Sequence, residues 1–139
     1  MAKSTCVISV ESKQRMGTET DSYNEKYFGS YIDRGDNKYL SYERIHEETK
    51  TTSLINFSNK GMTLTQSGDV TSKFEFKPLE KTSVEYKTPM GTLMGDVYTK
   101  SYYVKRIKNQ IEIGLLYEFT FVGSETIETE MKIKASIND

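Results

Sequence analysis

A single histidine limits the chemistry open to this chain. His46 is the only imidazole among 139 residues, so a metal site built on two histidines is excluded, and any nucleophile needing an imidazole base must use this one. Its available partner is Cys6, the only cysteine, and the two together would make a thiol–imidazole dyad assembled from distant positions. The simpler reading is a strand-end histidine in solvent beside Glu47 and Glu48, and a small buried thiol that packs as an apolar residue. One cysteine forms no internal disulfide, in keeping with a reducing compartment and a cytoplasmic protein. The nine glycines stand singly at turns and bends, and no phosphate loop, metal-ligand cluster or nucleophile elbow occurs. No residue is therefore assigned a catalytic, cofactor-binding or metal-binding role, and the chain reads as a binder rather than an enzyme.

Two sets of residues are candidates for binding. Lys100, Lys105, Arg106 and Lys108 alternate with Tyr98, Tyr102 and Tyr103, the composition of a surface that stacks single-stranded nucleic acid or docks a protein partner. Asp96 and Glu112 dilute that patch, and a net charge of −1 with a pI near 5.9 gives no global attraction to nucleic acid or to an anionic membrane. The second set is the apolar face of the strands described below. There Tyr42, Tyr86 and Tyr117 offer hydroxyls to orient a small apolar or amphipathic ligand, with Ile113 and Phe119 lining the same space.

The strands that must position these residues are organised around Gln110 to Val122. Ile111, Ile113, Leu115, Tyr117, Phe119 and Phe121 alternate with Glu112, Gly114, Leu116, Glu118 and Thr120, the period of a half-buried strand. After a turn at Val122-Gly123-Ser124, Ile127, Met131, Ile133, Ala135 and Ile137 take one face, against Glu128, Glu130, Lys132 and Lys134 on the other. The acidic pair Glu128 and Glu130 thus belongs to a solvated face. Turn signals recur at short intervals from Thr5 onward and leave no room for a long helix. They predict strands at about Thr5 to Glu11, Thr18 to Ile32, Lys38 to His46, Thr51 to Phe57 and Met62 to Gln66, then around Phe74–Phe76 and Val84–Tyr86. A long strand from Thr92 to about Tyr103 precedes the central pair, which makes ten in all. Gly29 marks an expected bulge or bend in the second strand.

The inward set predicted from alternation is Leu40, Tyr42, Phe74, Phe76, Val84, Tyr86, Leu93, Val97, Ile113, Leu115, Tyr117 and Phe119. At this length one domain, residues 1–139, buries roughly two-thirds of its unfolded surface. A meander of eight to ten antiparallel strands hides its edges best by closing into an up-and-down barrel, with the first strand near the last. A two-sheet sandwich is the alternative.

Tyr39-Leu40-Ser41-Tyr42-Glu43, Ser67-Gly68, Tyr86-Lys87-Thr88-Pro89-Met90-Gly91-Thr92-Leu93 and Ile113-x-Leu115-x-Tyr117 line up as a group. Together they resemble the YwiB-like family of small bacterial proteins of unknown function, from about Thr5 to Ile133, with the Tyr-x-Thr-Pro-x-Gly-x-Leu segment the most specific. The resemblance implies a calycin-like barrel and says nothing about a catalytic residue, since the family has no established one. Gln66 stands where the family often has Arg. The absence of any Trp departs from true lipocalins, which carry a Gly-x-Trp motif. Oligomeric state, monomer or dimer, is left open by the sequence.

Overall fold

Apolar and polar residues alternate along the whole chain, and every regular element among the described residues is a strand. The computed structural model describes residues 3–121 and 125–138; the expected turn at Val122-Gly123-Ser124 lies outside them. The strands are β1 (Lys3–Met16), β2 (Glu19–Arg34), β3 (Asn37–His46), β4 (Thr49–Phe57), β5 (Met62–Gly68), β6 (Thr71–Phe76), β7 (Lys81–Thr88), β8 (Gly91–Ile107), β9 (Gln110–Phe121) and β10 (Thr126–Asn138). Each pairs antiparallel with its neighbours in sequence, and β1 pairs with β10 from Thr5↔Asn138 to Arg15↔Glu128, so the sheet closes into a ten-stranded barrel. Up-and-down order puts the turns after even-numbered strands, with the start of β1 and the end of β10, at one rim. This is called the terminal rim, and the turns after odd-numbered strands lie at the distal rim.

The predicted central strand supplies the middle of the core. Ile111, Ile113, Leu115, Tyr117 and Phe119 are buried and pack with Ile8, Leu40, Ile55, Phe57, Phe76, Val97 and Ile133. Aromatic contacts fill much of the bore: Tyr117 lies 4.8 Å from Phe76, and Phe119 lies 5.5 Å from Phe74 and 4.3 Å from Phe121, centroid to centroid. The outward face of β10 carries Glu128, Glu130, Lys132 and Lys134 as expected, opposite Arg15, Lys13, Glu11 and Ser9 of β1. Three of these four pairs join opposite charges, and this cross-strand matching carries β1 on to Met16 although its apolar face ends earlier.

Two expectations are corrected. Gly29 is no bulge, for it sits in register opposite both Cys6 and Tyr42. A Cβ there would fall 2.4 Å from the Ser41 carbonyl oxygen and 2.7 Å from Ile8 Cδ1, so the glycine permits a close approach of backbone and core. The register shift lies instead in β8, between Thr99 and Ser101. The chain after β6 crosses to β8 there: Pro78 bridges Thr99 in parallel, Leu79 N–H donates to the Thr99 carbonyl at 2.8 Å, and Thr99 N–H donates to the Glu80 carbonyl at 3.3 Å. Second, Leu93, expected on the inward face, is 48% exposed. It pairs with Tyr86 of β7, but among the described residues β9 joins β8 only from Gly95 onward, so no described strand covers Leu93 on that side.

Two seams follow from the register. β2 and β3 pair only from Gly29↔Tyr42 to Arg34↔Asn37, so their distal parts diverge. β8 pairs with β7 only as far as Tyr98, so its edge from Ser101 to Ile107 has no strand beside it among the described residues.

Candidate functional site

The second seam opens the barrel at the terminal rim. A cleft of about 660 Å³ lies there between the end of β8, the β2–β3 turn and the β4–β5 turn. Half-buried Val104 is the accessible apolar part of its floor, over the buried Phe57 and Ile111, and Lys38, Lys60, Arg106, Asn37 and Asn59 line its sides. Alternation accounts for the mixture, since Lys38 shares the inward face of β3 with Leu40, and Arg106 shares that of β8 with Val104. These side chains face inward where the strands run out beyond the core, so their charged heads reach solvent while the stems stay over apolar surface.

Several contacts hold the cleft in shape. The Tyr102 hydroxyl lies 2.5 Å from the Ser58 carbonyl oxygen and 3.0 Å from that of Gly61, tying the β4–β5 turn to β8. Arg106 donates from Nη1 to the Tyr31 hydroxyl at 2.9 Å and from Nε to the Lys108 carbonyl at 3.1 Å. Lys38 Nζ donates to the Gly35 carbonyl at 2.5 Å and lies 3.6 Å from Asp33 Oδ1. The Gly35 N–H donates to the Asp33 carboxylate at 2.9 Å, and this bond first, with the charge of Lys38, holds that carboxyl below the usual carboxylate range. Burial pushes the Tyr31 phenol up, opposed by the positive charge of Arg106.

The distal rim is polar in a different way. Tyr27 and Tyr42 stack at 4.5 Å across the first seam, the Tyr27 hydroxyl donates to Glu25, and Glu25 lies 3.7 Å from Arg44. Burial, followed by the bond to Glu25, pushes the Tyr27 phenol up. Burial pushes the Tyr42 and Tyr117 phenols up, opposed in part by the neighbouring Ser53 and Thr129 hydroxyls. The Ser72 hydroxyl donates to Gln66 Oε1 at 3.0 Å, tying β6 to β5.

The five residues expected to line a ligand do not gather around the cleft. Ile113, Tyr117 and Phe119 are buried in the core, while Tyr42 and Tyr86 are half-buried toward the distal rim, Tyr86 edge-on to Phe74 at 6.5 Å. Cys6 is buried and burial pushes its thiol up. Strand register sets Cys6 level with Gly29 and Tyr42, whereas His46 lies four residues farther along β3, about 13 Å at strand spacing. The backbone therefore holds the two apart.

The basic and tyrosine patch is divided by the shift at Thr99/Ser101. Tyr102 and Arg106 turn inward, leaving Tyr98, Tyr103 and Lys105 outside. Lys100 is engaged by Glu128 at 2.8 Å and Glu118 at 3.7 Å, and Tyr103 donates to Glu112 at 2.6 Å. Among the described residues no group of three or more His, Cys, Asp or Glu side chains is placed to hold a metal ion. No helix is long and apolar enough to cross a membrane.

A family described as "Domain of unknown function (DUF1934)" matches residues 8–133. The chain belongs to this family. Its fold agrees with the crystal structure of the ywiB protein from Bacillus subtilis, which it matches with a TM-score of 0.88 at 21% identity, covering 99% of this chain and 94% of that one. That likeness establishes the fold. The crystal structure of Ail, the attachment invasion locus protein of Yersinia pestis, also aligns, at a TM-score of 0.35 and 9% identity over 98% of this chain and 97% of that one. No curated protein matches the chain in sequence.

Within the DUF1934 chain, the segment carrying the most specific resemblance forms the β7–β8 turn. The Met90 N–H donates to Thr88 Oγ at 3.1 Å, and the same hydroxyl donates to the Gly91 carbonyl at 3.0 Å. Thr-Pro-x-Gly is thus a turn-forming unit, away from the cleft. The cleft residues Lys38, Phe57 and Lys60 escaped the sequence reading, although Lys38 was legible as one step before Leu40 and Tyr42 in the same alternation.

Proposed function

We propose that this protein is a non-enzymatic binder of a small amphipathic molecule, seated in the cleft at the terminal rim. The supporting observation is the joining of an apolar floor, half-buried Val104 above the core residues Phe57 and Ile111, to a cationic and amide rim within about 660 Å³. Small-molecule sites span about 300–1,000 Å³ and combine these two kinds of surface. The apolar part of a ligand would displace water from the floor, and its polar part would be oriented by the rim. The lone buried thiol suits a cytoplasmic setting. A nucleic-acid role for Lys100 to Lys108 is the less favoured reading, because Glu118, Glu128 and Glu112 already occupy Lys100 and Tyr103.

Native mass spectrometry of protein purified from its own host, followed by titration with a fluorescent apolar dye, tests the proposal. Saturable one-to-one dye binding is expected, and Val104→Trp, which fills the cleft, should abolish it with the fold intact. Absence of both carried mass and saturable dye binding would sink the proposal. So would dye binding that Val104→Trp leaves unchanged.

A further inference from the structure

Arg106 is held on two of its sides and open on a third. Its Nε is used by the Lys108 carbonyl at 3.1 Å, and one Nη1 proton by the Tyr31 hydroxyl at 2.9 Å. A guanidinium has five N–H donors in a planar fork, so three remain. Among the described residues no carboxylate pairs with Arg106 or with Lys60. The cleft lining counts Lys38, Lys60 and Arg106 against the single acid Asp36, and Lys38 is already turned toward Asp33 and the Gly35 carbonyl. Unneutralised positive charge is therefore concentrated on Arg106 and Lys60. Arg106 is also the direct cross-strand partner of Ile111 and lies two residues from Val104 on the same face of β8. Such partners have Cβ atoms about 4.5–5.5 Å apart, so the free fork stands beside the apolar floor.

From this juxtaposition we infer that the ligand of the cleft carries an anionic head, a carboxylate or a phosphate, received by Arg106 with Lys60 supporting, while its hydrocarbon part lies along Val104. The inference rests on the binding reading above and specifies its ligand class. A guanidinium fork recognises planar carboxylate and phosphate oxygens in pairs. Tyr31 and the Lys108 carbonyl set the fork's orientation before the ligand arrives, which lowers the ordering cost of binding.

Calorimetric titration of the full chain with octanoate, octyl phosphate and octanol separates the possibilities. Both anions should bind at least tenfold more tightly than octanol, and their relative affinity distinguishes a fatty-acid head from a phosphate head. Arg106→Gln should bring the anions down to the octanol level, and Arg106→Lys should fall between, keeping charge but losing the fork. Added salt should weaken the anions only a few-fold, as for one or two ion pairs, and leave octanol unaffected. Octanol binding as tightly as octanoate would overturn the anionic head and leave the cleft reading standing. If none of the three binds, the cleft reading itself fails. The comparison of the three probes on the unmodified protein decides the matter even where a variant does not fold.

Discussion

The ring of Tyr103 on β8 occupies the space above Gly114, its cross-strand partner on β9: a Cβ at position 114 would fall 1.9 Å from Tyr103 Cε2 and 2.3 Å from Cζ. An aromatic side chain laid over a strand glycine restores the packing that the missing side chain would otherwise forfeit. The Tyr103 hydroxyl donates to Glu112 at 2.6 Å, which fixes the ring in that position.

Gly114→Ala should therefore destabilise the protein by about 1–3 kcal/mol, the usual cost of forcing a packed side chain aside. In a Tyr103→Ala background the same change should cost almost nothing, because the clash has been removed. Urea melts of the double-mutant cycle measure the coupling. Additive losses would mean that the ring does not cover the glycine.

The same hydroxyl predicts behaviour at both ends of the pH scale. The bond to Glu112, followed by burial, pushes the Tyr103 phenol up to about 12. That bond first, helped by Lys132 and Lys105, holds the Glu112 carboxyl below the usual carboxylate range. A raised phenol stabilises the fold below the unfolded tyrosine value of about 10, and that contribution is lost as pH rises toward 12. A lowered carboxyl stabilises above the unfolded glutamate value, and the contribution disappears as pH falls through the folded one. Tyr103→Phe should flatten both limbs of a stability–pH curve by a small amount, since the pair is exposed. Tyr27, Tyr102 and Tyr117, raised chiefly by burial, should still cause a loss of stability in alkali in that variant. An unchanged curve would refute the assignment.

Leu115 is 3% exposed in the centre of the core, and its replacement by Ala should cost about 2–5 kcal/mol. Glu118→Ala, on the outer face of the same strand, should cost only a few tenths, because its partner Lys100 at 3.7 Å keeps the nearer Glu128 at 2.8 Å. Equal losses in urea melts would reverse the assigned faces of β9.

The sequence by itself determined what depends on local alternation: ten strands, the buried row from Ile111 to Phe119 and the charged outer face of β10. Each follows from a period of two, which relates every residue to its own neighbours two positions away. Tertiary structure alone decided which way the end of β8 faces. Continued alternation from Val97 through Thr99 would turn Ser101, Tyr103 and Lys105 inward, yet the chain between β6 and β7 crosses to Thr99, the register shifts there, and Tyr102, Val104 and Arg106 face in instead. Adding one residue to a strand exchanges its two faces from that point on. The cause is a contact with Pro78, Leu79 and Glu80, about twenty residues away, so nothing near Thr99 announces it. For the same reason the basic and tyrosine run looked like one surface but is divided between the cleft and the outside. Lys38 of β3 and Lys60 of the β4–β5 turn meet Arg106 only because the barrel closes, and a position created by closure leaves no periodic trace in any one strand.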